Sequence, residues 1–237
     1  MQIWRRLIYF LKFMRSVLVL GRRLIAGMWK LTRLTQPAVT IFGGSRIELG
    51  DPIAQQASQL AKKLVKGGYS IITGGGPGIM EAANFGAYTY LEECQITAEK
   101  ECRPMVSAAI GLMHLNKERV NPYVQTSVIM DHFFSRKWLL VRYSSAFVIF
   151  PGGFGTLDEF AEILTLVQTH HMPPHPIVLV GSDYWKPLLD WIKTRAQVHR
   201  LIDPGDEKLF RVVDDVEAAY DIIKRNHVHN GSKNEKE

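Results

Sequence analysis

The stretch that decides the fold is Pro151-Gly-Gly-Phe-Gly-Thr-Leu-Asp-Glu159. It follows a short apolar run, 146–150, that is typical of a buried β-strand, and it opens a helical pattern that continues to about Gln168. A glycine-rich turn between a strand and a helix is a ready anion site, because free backbone N–H groups and the helix dipole both favour negative charge. The residues predicted to bind a phosphate are Gly152, Gly153, Gly155 and Thr156. A capped turn with helix-favouring acids is the simpler alternative.

Two further glycine-rich turns, 43–46 and 74–78, also follow apolar strand patterns. Strands that alternate with helices predict an α/β fold: an open, mostly parallel sheet with helices on both faces. Such sheets bind ligands beyond the carboxyl ends of their strands, where all three turns would meet. The further residues predicted to line this crevice are Gly44, Ser45, Gly76 and Gly78.

The turns do not match the standard dinucleotide or ATP motifs. The sequence contains neither a Gly-x-Gly-x-x-Gly fingerprint nor a Walker A motif. A mononucleotide or a sugar phosphate therefore suits the turns better than a nicotinamide cofactor or ATP does.

The net charge of +6 is unevenly distributed along the chain. Residues 1–36 hold eight Lys/Arg and no Asp/Glu, whereas the remaining residues hold 21 Lys/Arg and 23 Asp/Glu. The high isoelectric point therefore belongs to the N-terminal arm, and the charge gives no reason to expect nucleic-acid binding by the rest of the chain.

Residues 1–36 form a predicted basic amphipathic helical arm, because most of their basic residues share one arc of a helix. No uncharged run approaches the roughly 18 residues of a membrane-spanning helix. Two interpretations remain open. The arm is one helix, or two broken near Gly21 or Gly27, packed on the domain or at a dimer interface. Alternatively, residues 1–34 lie on anionic lipid, at the inner face of the membrane.

Residues 37–225 are predicted to form one α/β domain, and 226–237 a polar, disordered tail. The two cysteines, Cys94 and Cys102, suggest neither a disulfide framework nor a metal site, so a reducing cytoplasm is the expected compartment. The histidines have no metal-ligand spacing, and no cofactor or metal is predicted.

Three segments resemble one known family. The stretch 151–159 matches the Pro-Gly-Gly-x-Gly-Thr-x-x-Glu signature of the LOG (Lonely Guy) family, and Ser135-Arg136-Lys137 resembles its upstream Arg-Lys pair. Residues 74–87 resemble its first glycine-rich turn. The resemblance covers about Ala38 to Ile192; the basic arm and the long polar segment 92–103 depart from short family members. The family is often labelled "lysine decarboxylase", but no pyridoxal-binding lysine context is visible.

The resemblance implies a Rossmann-like homodimer that hydrolyses the N-glycosidic bond of a nucleoside 5′-monophosphate, such as AMP or a cytokinin riboside monophosphate, to free base and ribose 5-phosphate. It implies that Arg136 and Glu159 are catalytic. A carboxylate beside the ribose can stabilise an oxocarbenium-like state or activate water, and an arginine can hold ribose or phosphate oxygens. Lys137 would add positive charge, and Thr165 is a weaker candidate for a substrate contact.

A non-catalytic carrier of a phosphorylated ligand, similar to the molybdenum-cofactor carriers of the same superfamily, is the alternative function. The fold and the phosphate turn do not distinguish a carrier from an enzyme. The pair of Arg136 and Glu159 favours the enzyme, because a carrier needs the turn but not the acid. The identity of the base and the roles of Asp158 and Glu81 remain open.

Overall fold

The structure is a computed structural model that describes residues 2–34, 37–97, 105–113 and 120–234. The strands within these residues are β1 (Ala38–Phe42), β2 (Ser70–Thr73), β3 (Ser107–Leu112), β4 (Thr126–Met130), β5 (Ala146–Ile149), β6 (Ile177–Val180) and β7 (Arg211–Val213). The helices are α1 (Gln2–Leu31), α2 (Pro52–Lys66), α3 (Ile79–Thr97), α4 (Phe133–Arg142), α5 (Phe154–Gln168), α6 (Ser182–Trp191) and α7 (Val216–Asn234).

The described strands form one sheet in the order β4-β3-β2-β1-β5-β6-β7, and each neighbouring pair is parallel. The chain builds outward from β1 in one direction through β2, and in the other through β5. The gap between β1 and β5 is therefore the topological switch point, where open α/β sheets form their ligand crevice. This arrangement confirms the predicted open, parallel α/β sheet.

Helices cover both faces of the sheet, as predicted. Residues of α2, α3 and α7, such as Leu60, Ala83 and Ile223, belong to one apolar core. Residues of α4 and α5, such as Leu139 and Phe160, belong to the core on the opposite face. The central strands are buried on both sides, which is why they read as continuous apolar runs in the sequence.

The arm forms one uninterrupted helix, α1, rather than two helices broken at Gly21 or Gly27. Gly27 is buried at the point where α1 packs on the domain, because a Cβ there would lie 2.7 Å from a methyl group of Val128 and 3.3 Å from one of Leu139. A small residue thus permits close packing rather than ending the helix. No helix among the described residues is long and apolar enough to span a membrane.

The last helix extends to Asn234, through residues for which the sequence predicted a disordered tail from 226 onwards. The His227 ring packs edge-on against Tyr69 at 5.7 Å, and the Asn226 side chain donates to the carbonyl of Ile222 at 2.9 Å. These contacts continue the helix past the predicted boundary. Residues 235–237 of the predicted tail lie outside the described residues.

Candidate active site

The three glycine-rich turns meet at the carboxyl edge of the sheet. Gly44 N–H, just after β1, donates to the carbonyl of Pro151, just after β5, at 2.9 Å. The Gly44 carbonyl in turn accepts from Ile79 N–H at the start of α3, at 3.1 Å. Ser45 is exposed in the same turn as Gly44, and Gly76 is buried in the turn after β2. The main chain itself therefore joins these turns into one edge of a crevice.

Two of the predicted glycines are required by close packing of the turns. Gly78 has a φ of +71°, and a Cβ on it would clash with the carbonyl oxygen of Gly44 and approach Ser45 Cα to 2.9 Å. A Cβ on Gly152 would clash with Thr156 Oγ1 and lie 2.8 Å from Gly44 N. Only glycine fits at both places.

The other two glycines of the 151–159 stretch face open space. In the described part of the chain, nothing lies within 4 Å of where a Cβ of Gly153 or Gly155 would stand. Gly153 is the N-cap of α5 and supplies no side chain to cap the helix. The first N–H groups of a helix have no partner within it, so this end of α5 presents donors to an anion. Thr156 is buried in the first turn of the same helix.

Arg136 extends from α4 to the crevice and is fixed at two points. Its Nε donates to the carbonyl of Ile110 on β3 at 2.9 Å. Its Nη2 lies 3.7 Å from Glu159 Oε1 on α5. The guanidinium passes over Gly74, where a Cβ would clash with Nη2. The glycine-rich turn after β2 therefore leaves room for the arginine.

Glu159 is a mostly buried acid with a perturbed pKa. Its side chain and that of Arg136 are each only 13% exposed. Burial raises the pKa of Glu159 from 4.5 to about 7, although the positive charges of Arg136 and Lys137 oppose this effect. The 3.7 Å separation from Arg136 is longer than a hydrogen bond. Glu159 can therefore take up or release a proton near neutral pH, which suits general acid–base catalysis.

Lys137 forms ion pairs with two acidic residues of α5 rather than extending into the crevice. Its Nζ lies 2.6 Å from Asp158 Oδ2 and 3.1 Å from Glu162 Oε2, both on α5. Burial lowers the pKa of Lys137, but the hydrogen bonds to the two carboxylates and their negative charges together raise the pKa by more. Asp158 thus acts with Lys137 to join α4 to α5 next to Arg136 and Glu159. Positive charge at Lys137 remains near Glu159 and favours its ionised form.

A buried network of two asparagine side chains supports the turn after β2, and neither asparagine was among the predicted site residues. Asn121 donates to the carbonyls of Gly75 and Gly76, at 3.2 and 3.1 Å, and to Asn84 Oδ1 at 3.3 Å. Asn84 is fully buried on α3 and also accepts from Thr73 Oγ1 at 2.6 Å. Asn84 lies inside the family-like segment 74–87. The spacing of the two asparagines in the sequence does not indicate that their side chains would meet.

The predicted contact residue Thr165 lies away from this site, and Glu81, whose role the sequence left open, lies at the start of α3. Thr165 is exposed, and its hydroxyl donates to the carbonyl of Ala161 in its own helix at 2.8 Å. It lies about 9 Å along the helix from Glu159 and on another face, so the structure does not bring it to this site. Glu81 is in the first turn of α3 and is partly buried. Among the described residues, no group of three or more His, Cys, Asp or Glu could hold a metal ion.

The model of the family described as "Possible lysine decarboxylase" matches residues 80–223, which include both Arg136 and Glu159. This chain belongs to the LOG family. The Arg136–Glu159 pair and the open end of α5 therefore lie in the matched segment, whereas the glycine-rich turns 43–46 and 74–78 precede it.

Named relatives of this LOG family chain act on nucleotides. It is 27% identical over 196 residues to the cytokinin riboside 5′-monophosphate phosphoribohydrolase of Rhodococcoides fascians, covering 81% of this chain and 91% of the relative. It is also 27% identical over 186 residues to the pyrimidine/purine nucleotide 5′-monophosphate nucleosidase of Escherichia coli K12. That match covers 75% of this chain but only 38% of the relative.

Proteins whose names describe a different function, that of a carrier, share the same fold. A molybdenum cofactor carrier protein from Chlamydomonas reinhardtii superposes with a TM-score of 0.54 at 17% identity, over 80% of this chain and 98% of that one. At this identity the similarity shows the fold alone. The function must therefore be argued from the residues of the crevice.

Proposed function

We propose that this protein is a nucleoside 5′-monophosphate phosphoribohydrolase, which hydrolyses the N-glycosidic bond to free base and ribose 5-phosphate. The observation that carries the proposal is a mostly buried Glu159, 3.7 Å from Arg136, beside the uncapped N-terminus of α5. The helix end proposed to bind phosphate and an acid whose pKa is raised to about 7 are thus adjacent. The names of its LOG family relatives support the same chemistry.

The 5′-phosphate binds at the start of α5 in this proposal. The free N–H groups of the first turn donate to phosphate oxygens, and the helix dipole favours the negative charge. The open space beside Gly153 and Gly155 lets the phosphate reach the main chain. Glu159 is the sixth residue of α5, so a phosphate at the helix end places the ribose within reach of its carboxylate.

The reaction breaks the bond between C1′ and the base nitrogen and forms a bond between C1′ and a water oxygen. The leaving base takes the electron pair, and positive charge develops on the ribose ring. Ionised Glu159 stabilises this charge and accepts the proton of the attacking water. The base anion then takes up a proton, Glu159 releases its own, and the neutral base and the ionised carboxylate result. Arg136 holds ribose or phosphate oxygens, and its guanidinium is oriented by the carbonyl of Ile110.

The test is release of ribose 5-phosphate from a panel of nucleoside monophosphates that includes AMP and isopentenyladenosine monophosphate. Wild type is expected to release product, and Glu159→Gln to lose at least about a hundredfold in rate, the usual contribution of a general acid–base residue. Glu217→Gln is the matched control, because Glu217 lies on α7 and pairs with Lys63.

Binding measurements on the same panel decide between the two functions. If Glu159→Gln still binds the nucleotide, its lost turnover reflects chemistry rather than folding. Tight binding without turnover by the wild type would contradict the enzyme and favour the non-catalytic carrier. The nucleotide of the panel that is hydrolysed fastest identifies the base that the enzyme prefers.

A further inference from the structure

Residues 2–19 of α1 project from the described part of the domain. Every residue from 2 to 19 is exposed, although this segment contains a high proportion of large apolar side chains. The most exposed are Ile3, Trp4, Tyr9, Phe13 and Leu18, each at 63% or more. Monomeric soluble proteins rarely expose so many large apolar side chains along one segment, so we expect a partner to cover this surface.

Among the described residues, Leu20 is the first residue of α1 that packs against the core of the domain. Arg23 forms an ion pair with Asp131, immediately after β4, and Lys30 Nζ donates to the carbonyl of Ser127 near the start of β4, at 3.1 Å. The helix therefore runs antiparallel to β4. Its earlier residues extend beyond the carboxyl edge of the sheet, the edge at which the candidate active site opens.

Five exposed apolar residues form a stripe along one side of the helix, whereas others, such as Tyr9 and Phe13, lie on the opposite side. At about 100° per residue, Leu7, Leu11, Leu18, Ile25 and Trp29 fall within roughly 40° of one another. Leu18, Ile25 and Trp29 are 69–71% exposed, so this stripe faces away from the domain even where α1 is docked. The opposite face of the projecting segment carries the following polar and basic residues: Gln2, Arg5, Lys12 and Ser16.

The charge of this helix distinguishes between candidate partners. Residues 1–36 contain eight basic and no acidic residues. Pairing with α1 of a second copy would bring like charges together with no acid to compensate them, which is unfavourable. An anionic lipid surface supplies the missing negative charge and at the same time buries the apolar face. Trp4, at the border of the apolar stripe, is also of a residue type enriched at membrane–water interfaces.

We propose that α1 binds in the interface of an anionic membrane, with the stripe defined by Leu7, Leu11, Leu18, Ile25 and Trp29 facing the acyl chains. The basic residues at its border, such as Arg15 and Arg22, contact lipid headgroups. The helix lies on the membrane and does not cross it. This role is independent of the reaction proposed above.

Vesicle flotation of the full chain tests the proposal. Wild type is expected to float with phosphatidylcholine vesicles that contain a third phosphatidylserine, and much less with phosphatidylcholine alone or in high salt, because salt screens headgroup charge. Arg15→Gln and Arg22→Gln are each expected to weaken binding by about fivefold, since each removes one basic contact.

A matched pair of double variants separates apolar insertion from simple charge attraction. L11E/L18E places two acids on the stripe, and Q2E/S16E places two acids on the opposite face. Both change the net charge equally, and all four positions are exposed, so both variants are expected to keep the melting temperature of wild type. L11E/L18E is expected to lose flotation, whereas Q2E/S16E retains most of it.

Three results would overturn the proposal. The first is absence of wild-type flotation with anionic vesicles. The second is equal loss in the two double variants, which would indicate charge attraction alone. The third is an oligomer that dissociates in L11E/L18E without any lipid binding by wild type, which would assign the stripe to a second copy of the chain.

Discussion

At the scale of single residues, Glu159 is held in an environment that suits chemistry better than stability. Burial raises its pKa from 4.5 to about 7, so ionisation in the folded protein costs free energy. The unfolded chain ionises the same carboxyl at the ordinary pKa without this cost. The folded state therefore loses stability as the pH rises from 4.5 to 7, and the loss is constant above that range.

Replacing Glu159 by Gln is consequently expected to stabilise the protein at pH 8, by about 3 kcal/mol from the size of the pKa shift. The gain should shrink as the pH falls and vanish towards pH 4, where the carboxyl is neutral in both states. Urea unfolding of wild type and Glu159→Gln at several pH values measures the difference. A gain that does not depend on pH would contradict the raised pKa.

The neighbours of Glu159 predict opposite shifts in the pH dependence of the reaction. Lys137 lowers the pKa of Glu159, and Asp158 raises it. Lys137→Met should therefore move the acidic limb of the kcat/KM profile for nucleotide hydrolysis to higher pH. Asp158→Asn should move it to lower pH. Shifts of the same sign in both variants would show that another group controls the profile.

What the sequence revealed about individual residues depended on whether their spacing carried a signal. Arg136 and Glu159 belong to motifs, and the structure places them 3.7 Å apart. Asn84 lies inside the family-like segment 74–87 and Asn121 outside it, but the role of either amide is recognised only once its partners from different elements are in place. Thr165 was proposed from its helix alone, but six residues rotate it away from Glu159.

At the scale of elements, two glycines after β5 differ in the space around them: a Cβ would fit at Gly155 but would clash at Gly152. Gly155→Ala is expected to keep the stability of wild type, or to gain up to about 1 kcal/mol from helix propensity, because its Cβ meets nothing described within 4 Å. The same methyl group enters the space proposed for phosphate. KM for the nucleotide should therefore rise.

Gly152→Ala is the contrasting variant. Its Cβ would collide with Thr156 and approach Gly44 N to 2.8 Å, so the turns after β1 and β5 must separate. Thermal unfolding should show a marked loss of stability together with weaker nucleotide binding. Equal stability of the two variants would show that the turns are not packed as described.

The helices and strands that could be predicted from the sequence are those with a continuous apolar run or a regular alternation of apolar and polar residues. The apolar strands β1, β5 and β6 and the amphipathic helix α2 were predictable because their burial is complete or periodic. β7 was missed because it has only three residues, none fully buried. The continuity of α1 through Gly27 could not be predicted, since it depends on the contact with Val128.

At the scale of the whole molecule, α1 divides into a free and a docked part. Deleting residues 2–19 is expected to leave the melting temperature unchanged, because all of them are exposed. Deleting residues 2–34 also removes Leu31, which is 1% exposed, and uncovers Val128 and Leu139. This longer deletion should cost about 3 kcal/mol or more, as loss of a buried leucine does. Calorimetry of both truncated chains checks the contrast.

The position of β1 at the centre of the sheet has a consequence for synthesis of the protein. Its neighbour β2 follows soon after it on the nascent chain, but its other neighbour, β5, is complete only when Ile149 has been added and emerges from the ribosome later still. Throughout that interval Ala38–Phe42 is an apolar strand with one unpaired edge, the kind of surface that promotes aggregation. Chaperone protection during translation is thus needed most between the appearance of β1 and that of β5.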